Sequence, residues 1–215
     1  MRTEIVRIDS ENPEGPLVDY VAGQVRAGKV LGMPTDTFYG LAADPYNLHA
    51  VDSVYEVKFR SRHKPLSLLI ESVDQAEDLA RPLPSNFYLL AHKFWPGPLT
   101  IIVRAAPRLP LKVTANTGNV ALRVPASPIP LAVMRAAGIP MTATSANVSG
   151  EAECTTAQRV NQQLGGQISL IVDGGPSPRT VPSTIIDLTD DAGQWRILRE
   201  GAVPRSEIAE VLGFG

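Results

Sequence analysis

Short apolar runs alternate along this chain with segments whose apolar residues recur at helical spacing, and that alternation confines it to a mixed α/β architecture. Leu17, Val18, Val21 and Val25 share one helical face, which Pro16 can open and Gly28 can stop. Val30, Leu31 and Met33 then make a short strand ending at Pro34, so that 35–40 forms a strand-to-loop edge, where open α/β sheets place ligands. Asn47 is placed to cap a helix with Leu48, Val51, Val54 and Tyr55 inward, and 65–70 reads as a buried strand.

The same patterns predict helices over 72–80 with Ser72 as cap, over 85–94, and over 128–137 closed by Gly138. Strands fall at 99–104, 120–124 and 140–144, the last delivering Ser145. Thr155 or Thr156 caps a helix ending near Gly165, strands follow near 168–172, 183–188 and 194–199, and a short helix comes after Pro204. About seven strands with interspersed helices imply a mixed sheet with helices packed on it. The 19 prolines and 17 glycines are spread along the 215 residues with no linker-like concentration, which predicts a single domain over 1–215.

Charge and cysteine content remove several function classes. A net charge of -2 supplies no global field toward nucleic acid or anionic membrane, so any anion site must be local. The single cysteine, Cys154, cannot close an internal disulfide, and His49, His63 and His92 lack ligand spacing, so no structural metal is expected. Cys154 itself reads as structural, with no histidine near it in sequence. No signal-like or membrane-spanning apolar run is present, which makes the cytoplasm the default compartment.

Local cation density is concentrated in Lys58-Phe59-Arg60-Ser61-Arg62-His63-Lys64. Taken alone, such a run is best read as a solvated loop. Its place between a helix and a buried strand favours an anion site instead, and the Arg60 guanidinium can grip phosphate oxygens bidentately. Ser145-Ala146-Asn147-Val148-Ser149-Gly150 would by itself be an Asx-type turn, yet the small uncharged residues 141–144 before it leave backbone open at a strand's carboxyl end. Arg123 interrupts the apolar strand 120–124 and needs an acidic partner or an anionic ligand; an ion pair and a carboxylate site satisfy that need equally. Neither a Walker A loop nor a Rossmann fingerprint occurs, so a nucleotide would be held by dispersed groups. Ser61-x-x-Lys64 with Ser145-Ala146-Asn147 matches two elements of serine-lysine acyl enzymes, but Asn116-Thr117-Gly118 lacks the third element's lysine and lies in the wrong order.

Several blocks occur together in a fixed order: 34–41 (PTDTFYGL), Lys58-x-Arg60 with Lys64-Pro65-Leu66, 95–100 (WPGPLT), Arg123-Val124-Pro125, 145–150 (SANVSG), Pro182-Ser183-Thr184 and 198–201 (LREG). In these blocks, from about 10 to 205, the chain resembles the YrdC-like family. The resemblance implies a YrdC-like twisted mixed sheet with flanking helices around a basic concave cavity. It also implies an enzyme, a nucleotidyltransferase with L-threonylcarbamoyladenylate synthase activity, which makes threonylcarbamoyl-AMP and pyrophosphate from L-threonine, bicarbonate and ATP for tRNA modification. Magnesium would be held mainly by the phosphates, and downstream threonylcarbamoyl transferase machinery would take the product.

By motif position, the resemblance assigns Arg60, Lys64, Ser145 and Arg199 to ATP, supported by Lys58, Asn119 and Asn147. It assigns Thr37, Arg123, Ser183 and the Ala143 backbone to threonine, and no covalent catalyst is implied. Phe59, Ser61, Leu69, Asn119 and Glu153-Cys154 depart from the family pattern and bear on amino-acid selectivity and ATP contacts. The chain also resembles the form without an extra carboxyl-terminal domain. The alternative is a paralogue that binds double-stranded RNA or the ribosome, or tRNA directly, without threonine-specific synthesis; the charge of -2 weighs against it.

Overall fold

The computed structural model describes residues 2–213; Met1, Phe214 and Gly215, inside the expected 1–215 domain, lie outside the described residues. In chain order the elements are β1 (Glu4–Arg7), α1 (Gly15–Arg26), β2 (Leu31–Met33), β3 (Gly40–Ala42), α2 (Leu48–Val57), β4 (Ser67–Leu69), α3 (Val73–Leu79), α4 (Ser85–Phe94) and β5 (Leu99–Arg104). They continue with α5 (Leu111–Thr114), β6 (Asn119–Arg123), α6 (Pro128–Ala137), β7 (Met141–Thr142), β8 (Thr144–Ser145), α7 (Ala157–Leu164), β9 (Leu170–Asp173), β10 (Thr184–Asp187), β11 (Arg196–Arg199) and α8 (Arg205–Leu212).

The mixed α/β expectation holds, and the strands divide between two mixed sheets. One sheet has the order β1-β9-β2-β3-β8, the other β11-β10-β5-β6-β4-β7. The sequence reading found about seven strands because β1 is mostly exposed and β3, β7 and β8 are too short to show a period. The expected strand at 140–144 is two strands. Met141–Thr142 pairs antiparallel with β4, and after the single residue Ala143 the chain changes sheet and pairs antiparallel with β3.

The caps follow the sequence chemistry. The Asn47 side chain accepts from His49 N and Ala50 N, Ser72 from Gln75 N, and Thr156 rather than Thr155 from Arg159 N. Gly138 closes α6 in the left-handed region at φ 71°. Helix α2 ends in the same way without a glycine. Phe59 N bonds Glu56 O at 3.0 Å and Arg60 N bonds Tyr55 O at 2.9 Å, a Schellman closure that puts Phe59 at φ 51°.

Two apolar clusters support the sheets. The inward face of α1 (Val18, Val21, Ala22, Val25) joins Ile129, Val133 and Met134 of α6, and the larger cluster gathers Val51, Val54, Phe87, Leu90, Ile101 and Leu122 under the second sheet. Each fully buried aliphatic or aromatic side chain contributes on the order of 1.5–3 kcal/mol. Thr184, fully buried in β10, accepts from Gly201 N (2.9 Å) and Val203 N (3.0 Å) and donates to Val203 O (2.6 Å), which fixes the turn leading into α8.

Candidate active site

The two sheets face each other across a cleft whose lining residues come from the ends of strands in both. Thr35, Thr37 and Gly40 belong to the loop after β2 and the start of β3, Arg60 follows α2, and Leu69 and Arg123 end β4 and β6. Ala143, Ser145, Glu153, Ser183 and Arg199 complete the lining used below. Arg60, Arg123 and Arg199 are opposed by one carboxylate in that lining, Glu153, so the cleft is cationic.

The first wall is organised by Arg123. Its Nε donates to Gly97 O (2.9 Å), Nη1 to Thr37 Oγ1 (3.0 Å) and Nη2 to Asp36 Oδ1. Burial lowers the Arg123 pKa from its ordinary value and the Asp36 carboxylate opposes that shift. The sequence left an ion pair and a ligand role open at Arg123; the ion pair exists, and the guanidinium still lines the cleft. Thr35 shapes the loop: its hydroxyl donates to Phe38 O (2.7 Å) and accepts from Thr37 N (3.1 Å).

Ser183 joins this wall from β10. Its hydroxyl shares a 2.9 Å hydrogen bond with Thr100, while its carbonyl accepts from Arg199 Nε (3.1 Å) and Nη2 (2.9 Å). Ala143 lies at the change of sheet, its N–H bonded to Ser67 O at 2.8 Å. Leu69 places an apolar group in the lining.

The second wall joins two segments nearly ninety residues apart in sequence. Lys58 Nζ donates to Ser145 O, to Asn147 O (2.8 Å) and to Asn147 Oδ1 (3.0 Å), and Ser149 N returns a bond to Lys58 O (3.0 Å). Lys58 is 2% exposed. Burial, with the nearby Arg60 charge, pulls its pKa down to about 8, against the raising effect of Glu153. It therefore braces the Ser145–Asn147 turn from behind, and neither it nor Asn147 lines the cleft. Arg60 does; its Nη2 holds Pro65 O at 2.8 Å and its Nε holds Lys64 O at 3.3 Å.

Lys64 is exposed at the rim. Asn119 opens β6 opposite Arg104 of β5 and does not line the cleft. Arg62, from the same basic run as Lys64, is committed elsewhere. It pairs with Asp52, which also takes Lys112 Nζ at 2.6 Å, and these two cations hold the Asp52 carboxyl below its usual range. Cys154 is buried and burial pushes its thiol pKa up, as suits a packing residue.

Sequence reasoning missed Thr100 and Arg179. Thr100 lay inside the block 95–100 but carried no signal of its own, because its meeting with Ser183 depends on the parallel pairing of β5 with β10. Arg179, whose Nη1 reaches Asp36 O at 3.2 Å, sits in a glycine- and proline-rich segment without periodicity.

Together the fold and the cleft define a class: a two-sheet α/β protein whose cleft gathers three guanidiniums, hydroxyls and main chain, groups chemically suited to small anionic ligands, without a P-loop. The chain belongs to the Sua5/YciO/YrdC family, whose sequence model, described as "Telomere recombination", matches residues 24–201. It is 39% identical over 206 residues to a threonylcarbamoyl-AMP synthase of Bacillus subtilis, covering 95% of this chain and 59% of that protein. It is 38% identical over 191 residues to a putative threonylcarbamoyl-AMP synthase of Mycobacterium tuberculosis, covering 89% and 87%. Among solved structures, Pyrococcus abyssi Sua5 complexed with L-threonine superposes with a TM-score of 0.94 at 37% identity, covering 98% of this chain and 61% of that one. The chain thus spans about three fifths of the length of the Bacillus and Pyrococcus proteins. Among the described residues no helix is long and apolar enough to cross a membrane.

Proposed function

We propose that this chain is an L-threonylcarbamoyladenylate synthase, a nucleotidyltransferase that acts as one YrdC-like unit. The observation that carries the reading is that two sets of groups, each suited to one anion, line a single cleft. Its relatives' activities, and the L-threonine complex of the Pyrococcus protein, supply the substrates.

In this reading Arg123 takes the threonine carboxylate, and Thr37, Ser183 and the Ala143 main chain orient the amino acid. Arg60, Ser145 and Arg199 take the ATP phosphates, Lys64 and Asn119 extend that grip past the rim, and Lys58 and Asn147 hold Ser145 in place. The threonine amine condenses with bicarbonate to give the carbamate and water. A carbamate oxygen then attacks the α-phosphorus, the new O–P bond forms, and the bond to the bridging oxygen breaks so that pyrophosphate leaves. No side chain need become covalently attached. The cleft's task is to bring two anions together and neutralise the charge that moves onto the leaving group.

Among the described residues no group of three His, Cys, Asp or Glu side chains could hold a metal ion, and the cleft lining carries only Glu153 as a carboxylate. That donor set suits a magnesium ion carried in on the nucleotide and held mainly by phosphate oxygens, where it would offset charge on the pyrophosphate. The labile product would pass to a threonylcarbamoyl transferase acting on tRNA. Pyrophosphate release from ATP should require both L-threonine and bicarbonate; release that continues at the same rate without threonine refutes the assignment.

A further inference from the structure

Arg123 is already matched in charge before any substrate arrives. It is 7% exposed and contacts Asp36, which is 1% exposed and also accepts from Ala126 N at 3.1 Å. A guanidinium and a carboxylate in this contact form a neutral unit, and a neutral unit is a poor attractor for a second carboxylate. Asp36 would moreover repel an anion brought to the same guanidinium, because two like charges at that separation interact strongly in a partly desolvated cleft.

A second cation lies on the far side of Asp36. Arg179 Nη1 is 3.2 Å from Asp36 O and 3.5 Å from Asp36 Oδ2. Two guanidiniums and one carboxylate leave one net positive charge, the complement of one incoming carboxylate. Arg179 is not loosely placed. It belongs to the segment that leaves β9 in one sheet and enters β10 in the other. Tyr39 Oη pins that segment by donating to Gly175 O (2.7 Å), and Ser177 N bonds Thr155 O (2.8 Å). Arg179 does not line the cleft and its side chain is 43% exposed, so its influence reaches the ligand space through Asp36 and Arg123.

We propose that Arg179 is a positioning residue that occupies Asp36 and thereby frees the charge of Arg123 for the carboxylate of the amino-acid substrate. The inference rests on the assignment of Arg123 to the threonine carboxylate made above. It adds a specificity element, a preference for ligands that carry that carboxylate, to a residue outside the cleft.

The test compares wild type, Arg179→Gln and Arg179→Lys by calorimetric titration with L-threonine, with L-threonine amide, which lacks the carboxylate charge, and with ATP. Arg179→Gln should raise the L-threonine Kd about tenfold, the effect of one cation removed at this range in a partly solvated site. The amide and ATP affinities should stay within about twofold of wild type, and Arg179→Lys should recover most of the loss. Added salt should weaken threonine binding more in wild type than in Arg179→Gln. An unchanged threonine affinity in Arg179→Gln overturns the proposal, and so does an equal loss for threonine and its amide, which would mark a purely structural role. Wild-type protein that bound neither threonine nor its amide would instead overturn the synthase reading, and this inference with it.

Discussion

Replacing Lys58 with methionine tests whether the buried ammonium is a brace. At pH 7 the wild-type lysine is ionised in a site that lowers its pKa from 10.5 to about 8, which costs the fold about 3 kcal/mol relative to a solvated lysine. Against that stand three charge-assisted hydrogen bonds, to Ser145 O, Asn147 O and Asn147 Oδ1. Methionine removes the desolvation cost but also all three charge-assisted hydrogen bonds, at roughly 1.5–3 kcal/mol each or about 4.5–9 kcal/mol together, so Lys58→Met should be destabilised by about 1.5–6 kcal/mol at pH 7. The pH dependence is sharper. Because the folded-state pKa lies below the unfolded one, the folded protein loses this proton near pH 8 while the unfolded chain keeps it to about 10.5. Wild-type stability relative to Lys58→Met should therefore rise across that window, by up to about 3 kcal/mol. Urea unfolding of both proteins at pH 7, 9 and 10 reads the difference directly. A difference that stays flat with pH, or a methionine variant as stable as wild type at pH 7, refutes the account.

Other outcomes follow from single contacts. Arg60→Ala should raise the ATP Kd roughly ten- to hundredfold by calorimetry if, as proposed, Arg60 makes a charge-assisted bond to the phosphates, and an unchanged ATP affinity would remove Arg60 from the nucleotide site. Phe59 is 75% exposed at φ 51°, so Phe59→Gly should relieve about 1 kcal/mol of left-handed strain and raise Tm by roughly 2–4 °C in a thermal melt. Thr184→Val, which strands Gly201 N and Val203 N, should cost about 2–4 kcal/mol in chemical denaturation; a neutral effect would show that the turn finds other partners.

What the sequence showed and what it hid divide along the range of the interactions. The helical faces of α1, α2 and α4 and the caps Asn47 and Ser72 were legible because propensity, period and cap chemistry are all local, except that Leu48, expected inward, is 47% exposed in the first turn of α2, before that helix meets the core. The split into two sheets was hidden, since β7 and β8 have only two residues each and their partners are decided by packing. The site was legible as residue types: Arg60, Arg123, Ser145, Ser183 and Arg199 do meet in one cleft. The division of labour among them was not. That Lys58 faces carbonyls, that Asp36 neutralises Arg123 and that Arg179 stands behind Asp36 are all contacts across more than eighty residues of chain. Arg62 was hidden in the other direction, a cation in the basic run that is committed to Asp52.

The change of sheet at Ala143 also bears on how such a cleft can diverge. A Cβ on Gly40 would meet only main chain, Thr144 O at 3.5 Å and Ala143 Cα at 3.8 Å, both ordinary contact distances, so part of the cleft floor is polypeptide backbone. Ordinary substitution alters side chains and leaves that floor as it is. Descendants of this chain can therefore exchange Leu69, Glu153 or Ser183 and reshape the cleft's chemistry, while the main-chain surface beneath is inherited unchanged.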